Sequence, residues 1–308
     1  VMAKLILSIA LVVTMVFAAL PTHADSETGD VARGEYLVHV AGCITCHTMK
    51  DSKGPMLAGG RAIHSPYGDF YSSNITPDKE TGIGDWSDAD FVRALRHGKS
   101  PEKKTYYPAF PYAAYTHMRY QDMLDIKAYI FSTPPVRKEN RDHNIRFPFS
   151  WRFTIHPWRW LFFSPGEEKS VPATQTLEAR GRYIVEVLGH CGECHTPRNM
   201  VGGLKRGRPL AGTRYGPGGR SVPNITPDRE TGIGNWSSGD FLFFFKTGLK
   251  PDGDDIQGDM REVVEGGLRH LNEADMRATA AYLKSLPAVR NAVRSVKKAT
   301  AEPAYDEW

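Results

Sequence analysis

The sequence predicts an all-α fold made of two similar halves in tandem. Three observations predict it. A thirteen-residue segment occurs twice, NITPDKETGIGDW from Asn74 to Trp86 and NITPDRETGIGNW from Asn224 to Trp236, with eleven of thirteen positions identical. Other features recur in the same order: Gly34-Glu35-Tyr36 and Gly181-Arg182-Tyr183, Phe91 and Phe241, Ala128-Tyr129-Ile130 and Ala281-Tyr282-Leu283. Finally, apolar residues fall at helical spacing, and no segment sustains the strict alternation of a half-buried strand. A repeat this long marks whole domains and not a solenoid.

The elements follow in chain order. Lys4 precedes a mostly apolar run from Leu5 to Leu20, and small residues lead into Asp25. This is the pattern of a secretory signal peptide over residues 1–24, with a retained anchor as the alternative. The first half is expected over residues 28–135. Its first helix carries Tyr36, Leu37, Val40 and Ala41, and a second helix starts after the N-cap Ser87. A last helix spans about 120–132 and stops at Pro134-Pro135. Residues 136–176 form a linker. The second half, 177–290, repeats the plan: a helix through Tyr183, Ile184, Val187 and Leu188, another after Ser237, and a last one over about 272–286, stopped by Pro287. Residues 291–308 form a basic tail.

Composition narrows the function. Hydrophobic residues are 41% and charged residues 24% of 308, which is ordinary globular usage and excludes a disordered or polytopic membrane chain. A net charge of +4 is too small for a nucleic-acid partner. The four cysteines form two pairs, Cys43-x-x-Cys46-His47 and Cys191-x-x-Cys194-His195. C-x-x-C-H is the attachment pattern for c-type haem: two thiols one helical turn apart bond the vinyl groups, and the adjacent His becomes an iron ligand. Zinc needs four ligands, which this set does not supply. A thioredoxin-like pair would need a βαβ context, which the sequence lacks. The expected cofactors are therefore two covalently bound haem c, with His47 and His195 as proximal ligands.

Around these residues the chain resembles the class I cytochrome c family over most of both halves. The stretch from Gly54 to Gly59 is similar to that family's segment after the haem site, where a proline carbonyl accepts the proximal histidine's free N–H. The resemblance gives that role to Pro55 and Pro209. It also places Asn74, Trp86, Asn224 and Trp236 near the haem edges, with indole N–H groups available to the propionates; packing in the core is the alternative for both tryptophans. NITPD, TGIG and Tyr107-Pro108-Ala109-x-Pro111-Tyr112 resemble the cytochrome subunits of membrane-associated alcohol, sorbitol and gluconate dehydrogenases. Those carry three such domains and this chain has two.

A His/Met haem needs a methionine ahead of the last helix. Met260 is the candidate in the second half. In the first, Phe110 stands where related subunits often carry Met, and Met118 is the expected ligand, with His117 and His97 as alternatives. Within the linker, residues 146–163 interleave Phe and Trp with Arg146, Arg152 and Arg159. Such a stretch could lie peripherally in a membrane interface, dock a partner subunit, or fold back between the halves.

The function expected is a periplasmic dihaem cytochrome, with association with the outer face of the inner membrane as a further option. A dehydrogenase subunit is the expected donor, and an oxidase, another cytochrome or a quinone-linked protein the acceptor. The alternative is a haem enzyme such as a thiosulfate dehydrogenase or dihaem peroxidase. Such an enzyme needs an open iron position and acid–base groups, and no catalytic residue is assigned from sequence.

Overall fold

Asp30 begins the first helix: its carboxylate accepts the backbone N–H of Arg33 and caps α1, Val31–Val40. The computed structural model describes residues 28–49, 54–166 and 176–293. Along the first half follow α2 (Cys43–His47), β1 (Ala62–Ser65), β2 (Gly68–Tyr71), α3 (Asp88–His97), α4 (Tyr112–Tyr115) and α5 (Tyr120–Ser132). β3 (Asn144–Ile145) and α6 (Ile155–Phe162) lie between the halves. The second half holds α7 (Leu177–Arg182), α8 (Gly192–His195), α9 (Ser238–Thr247), α10 (Asp259–Gly266) and α11 (Glu273–Ser285). Ser87 and Ser237 each form a capping box with the aspartate three residues on, as the serine N-caps predict.

The all-α expectation needs a correction. The chain is mostly helical, but β1, β2 and β3 form a small antiparallel sheet in that order. Ser65 pairs with Gly68 and closes a two-residue hairpin. Strands of four and two residues are too short to display a period, so the alternation test could not find them. The leader expected over residues 1–24 lies outside the described residues, as does most of the tail expected over 291–308. No helix among the described residues is long and apolar enough to cross a membrane.

In each half the first helix crosses the last at van der Waals contact. A Cβ on Gly34 would sit 1.9 Å from the carbonyl oxygen of Asp125, and one on Gly181 would sit 1.9 Å from that of Ala278. Neither crossing tolerates a side chain. Arg33 pairs with Asp122 and Asp125 across the first crossing, and Arg180 pairs with Asp275 at 2.6 Å across the second.

The halves are also tied to each other. Tyr36 of α1 donates to Asp275 of α11 at 2.5 Å. Tyr183, its counterpart, donates to Asp122 of α5 at 2.6 Å. Each half thus sends a tyrosine to the carboxylate that its partner's arginine already holds. Leu37, Val40, Ile126, Ile184, Leu188, Phe241 and Leu283 belong to one continuous apolar cluster that runs through both halves.

One difference between the halves is visible in the spacing. Tyr36 precedes Cys43 by seven residues, and Tyr183 precedes Cys191 by eight. The structure absorbs the extra residue as a π-helical turn over Tyr183–Leu188, continuing α7, in which Gly189 N–H reaches back five residues to Ile184 at 2.7 Å.

The chain after each last helix folds back onto the repeated segment. Asn74 Nδ2 donates to the Val136 carbonyl at 2.7 Å, and Asn140 accepts the N–H of Asn74 at 2.6 Å. Asn224 Nδ2 donates to Val289 at 2.7 Å, and Asn291 Nδ2 donates to Ala211 at 2.6 Å. Val136 and Asn140, at the start of the expected linker, are thus hydrogen-bonded to Asn74.

Candidate functional site

Each C-x-x-C-H sequence forms a single short helical turn, α2 or α8 with its N-cap Cys191, immediately after the half's first helix. The turn puts both thiols and the imidazole within one peptide turn of each other. Gly42 precedes Cys43 in the left-handed region at φ 70°, where glycine is favoured. Its counterpart His190 takes φ 36° despite its side chain.

The ring of His47 meets the carbonyl of Ser73, with Nδ1 at 2.7 Å, and that of His195 meets Pro223 at 2.8 Å. A carbonyl only accepts, so each Nδ1 carries the proton and each Nε2 presents a lone pair. Burial pushes both imidazoles below the ordinary histidine range, with the carbonyl bond opposing it, so the rings are neutral and able to bind a metal. None of the four cysteines is paired in a disulfide. Desolvation pushes Cys43 and Cys191 up to about 12 and Cys194 to about 11, and it raises Cys46 as well. Among the described residues, no three His, Cys, Asp or Glu side chains converge as the ligands of a free metal ion would. A pair of thiols beside a histidine with one free nitrogen fits attachment to the rim and iron of a haem.

The proline assignment needs correction. The histidine partners are the carbonyls of Ser73 and Pro223, the residues just ahead of the two NITPD segments. The Pro55 carbonyl accepts from Ala58 instead, at 3.3 Å. Nor do Pro55 and Pro209 correspond. Leu57 N–H donates to Thr48 Oγ1 at 3.1 Å and Leu210 N–H to Thr196 Oγ1 at 3.0 Å. Gly59 N–H donates to His47 O and Gly212 N–H to His195 O, both at 2.6 Å. This register pairs Leu57 with Leu210, and hence Pro55 with Arg208, whose carbonyl likewise accepts from Ala211 at 3.4 Å.

Asn74 and Asn224 act on the site indirectly. Both are buried. The Oδ1 of Asn74 accepts from Thr76 N and Oγ1, and its Nδ2 donates to Thr81 and Val136. Asn224 does the same with Thr226, Thr231 and Val289. These amides hold the loop whose preceding carbonyl receives the histidine. Trp86 and Trp236 are half-buried against the apolar cluster, Trp236 edge-on to Phe241 and Phe244 at 5.3 and 5.2 Å.

Backbone register also places the methionines. Tyr106 N–H donates to Gly98 O at 2.8 Å, and Ile256 N–H donates to Gly248 O at 3.2 Å. Four residues beyond each of these lie Phe110, just ahead of the α4 N-cap Pro111, and Met260, in the first turn of α10. Met118 and Leu271 both stand immediately before the N-caps of α5 and α11, Arg119 and Asn272, and both are fully buried. Arg96 fixes this segment by donating to Thr116 O at 2.7 Å and Met118 O at 3.0 Å. His97 is exposed at the end of α3.

The structure brings the two attachment segments together. A Cβ on Gly42 would lie 3.8 Å from His190 Nε2. Tyr115 donates its hydroxyl to Ala41 O, two residues ahead of Cys43, and its ring meets His190 edge-on at 5.4 Å. Two arginines that sequence reasoning missed complete the site. Arg61 donates to Thr45 O at 3.0 Å and Arg198 to Glu193 O at 2.9 Å, the same position within each C-x-x-C-H. Their spacing from the cysteines differs between the halves, which hid the correspondence.

No protein-family model matches the chain. It is 41% identical over 280 residues to a protein described as diheme cytochrome c-type from Cereibacter sphaeroides, covering 87% of this chain and 92% of that one. It is 41% identical over 298 residues to the gluconate 2-dehydrogenase cytochrome c subunit of Pantoea cypripedii, and 40% identical over 270 residues to the fructose dehydrogenase cytochrome subunit of Gluconobacter japonicus. These matches cover 93% and 87% of this chain but only 66% and 55% of those subunits.

Proposed function

Because the chain belongs to the dihaem c-type cytochromes, we propose that it is a two-haem electron relay that accepts electrons from a dehydrogenase subunit and delivers them to an oxidase, another cytochrome or a quinone-linked acceptor. When bound, each haem supplies one-electron chemistry at its iron. Cys43, Cys46, Cys191 and Cys194 would hold the two groups covalently and His47 and His195 would bind the irons, while the Ser73 and Pro223 carbonyls orient the imidazoles. Met260 would complete the ligand set of the second iron and Met118 that of the first. The two halves are tandem cytochrome domains.

The observation that carries the relay is the meeting of the two attachment segments at Gly42 and His190. Two haems attached there would lie close enough to pass electrons to each other, as a relay requires. The apolar leader at residues 5–20 supports export to the periplasm, where covalent attachment is completed. The haem-enzyme reading keeps one supporting observation, the aromatic Phe110 at the same spacing from the Tyr106–Gly98 bond as Met260 has from the Ile256–Gly248 bond. The test is stoichiometry and transfer together. A pyridine haemochrome assay is expected to give two haems per chain that survive acid–acetone extraction. A dehydrogenase of the gluconate or fructose class is expected to reduce both. One haem per chain, or reduction of only one, refutes the relay.

The 146–163 segment divides by face. Its inner face folds back between the halves: Ile155 is buried, Trp158 meets Tyr112 edge-on at 6.5 Å, and Phe163 meets Tyr112 at 5.1 Å. Phe162 covers Gly203 of the second half, where a Cβ would come within 2.3 Å of its ring. The outer face leaves Trp160 83%, Phe147 70% and Phe153 62% exposed. No Asp or Glu occurs between residues 143 and 166. Aromatic and arginine side chains without carboxylates suit an anionic membrane surface, so this face supplies the peripheral membrane contact. The double variant Phe153→Ser/Trp160→Ser is expected to lose vesicle binding several-fold with an unchanged visible spectrum. Trp158→Ser is expected instead to lower stability by about 1–3 kcal/mol in denaturant titration. If the outer-face variant sediments with anionic vesicles as the parent does, the membrane contact lies elsewhere.

A further inference from the structure

Met260 lies in the first turn of α10, and α10 is seated on the opposite half. A Cβ on Gly266, at its C-terminal end, would come within 2.4 Å of Thr45 Oγ1 in the first C-x-x-C-H. The Gly266 carbonyl faces His39 Nδ1 of α1 at 2.9 Å. Midway along, Glu262 pairs with Arg61, whose same Nη1 donates to Thr45 O at 3.0 Å. Asp259 stands 4.0 Å from Arg61 Nη2. Arg61 is itself held by its backbone: its N–H donates to Ser72 Oγ and its carbonyl accepts from Ser72 N–H, both at 3.0 Å.

Glu262 follows Met260 by two residues, so the two side chains leave the helix about 200° apart. Met260 packs against the apolar cluster, while Glu262 faces the first half. In the second motif the corresponding arginine, Arg198, closes on Glu193 of its own C-x-x-C-H. Only Arg61 reaches across.

We propose that Arg61 and Glu262 are positioning residues for Met260, so that the thioether on the second iron is held in place from the first half's haem attachment turn. This rests on Met260 being that ligand. An ion pair largely withdrawn from water fixes the rotation and height of α10 about its axis. With the pair broken, Glu262 is drawn toward water, and α10 keeps on the first half its Gly266 contacts and the longer approach of Asp259 to Arg61. The thioether then competes less well with an exogenous ligand. Any disturbance of the first attachment turn is transmitted through Arg61 to the second iron.

The test is imidazole titration of the oxidised holoprotein. The second haem is followed by its thioether-to-iron absorption in the red and by the NMR signal of the ligated methionine methyl. Glu262→Gln and Arg61→Gln are each expected to let imidazole displace the thioether at about tenfold lower concentration, which corresponds to about 1.4 kcal/mol. The double variant is expected to shift no further than either single one, because the two side chains act as a pair. Arg61→Gln alone is expected to alter the first haem's Soret band as well, since it removes the donor to Thr45. Parent-like imidazole affinity at the second haem in both single variants overturns the proposal. Met260→Ala separates the two ways of failing. If it leaves the red absorption and methyl signal intact, Met260 is not a ligand and both readings fall. If it removes the second haem's methyl signal and its share of the red absorption while the Arg61 and Glu262 variants behave as the parent, only the positioning role falls.

Discussion

Met260→His is expected to lower the midpoint potential of one haem and leave the other close to its parent value. A thioether favours the reduced iron, and an imidazole donates more strongly and favours the oxidised one. The change should be confined to one haem because Met260 belongs to the second half by backbone register, with Ile256 bonded to Gly248 as Tyr106 is to Gly98. Histidine is about the length of methionine and the site is half-buried at a helix start, so the variant is expected to fold. The companion Met260→Ala should remove about half of the red thioether absorption if both irons carry methionine. The measurement is a spectroelectrochemical titration resolved into two one-electron steps. If both steps in Met260→His coincide with those of the parent, the second iron's sixth ligand is another residue.

Much of this site can be read in the sequence because its chemistry is local. Cys43, Cys46 and His47 lie within one turn, so their spacing alone defines what they can hold. Ser87 and Asp90, or Ser237 and Asp240, satisfy each other within three residues and mark the helix starts correctly. The failures involve partners distant in the chain. The carbonyl that orients His47 comes from Ser73, 26 residues on, and a carbonyl has no residue signature. Pro55 is nearer and carries the family resemblance, but its carbonyl is directed to Ala58. Arg61 is unremarkable until the fold sets it beside Thr45 and Glu262, the latter 201 residues away. The apparent match of Pro55 with Pro209 shows how an insertion misleads. The hydrogen bonds align Leu57 with Leu210, one residue out of step with the prolines. In contrast, the one-residue difference between the Tyr36–Cys43 and Tyr183–Cys191 spacings could be counted directly, and the structure turns it into the π-helical turn.

For the first iron, Met118→Ala is expected to remove about half of the red thioether absorption and to open one coordination position per chain to carbon monoxide in the reduced protein. Phe110 cannot serve as a ligand, since a phenyl ring offers no lone pair. Its ring lies among Tyr106, Tyr112 and Tyr115, with centroids at 5.8, 6.4 and 5.8 Å. Met118 is a buried thioether three residues after Tyr115, whose hydroxyl reaches Ala41 beside the first attachment turn. Arg96 holds its backbone rigid, which suits a ligand that must not drift. Adding Phe110→Met to Met118→Ala is expected to restore the absorption and close the site again, because a methionine there has the same spacing from the Tyr106–Gly98 bond as Met260 has from the Ile256–Gly248 bond. Carbon monoxide titration of the parent decides the matter. An unaltered protein that binds no carbon monoxide at either iron, and does not turn over peroxide or thiosulfate, is a relay with both positions filled. A parent that binds one carbon monoxide per chain, with a high-spin first haem, makes Met118 a core residue equivalent to Leu271. The haem-enzyme reading then gains its open iron, and His117 and His97 become the acid–base groups to substitute next.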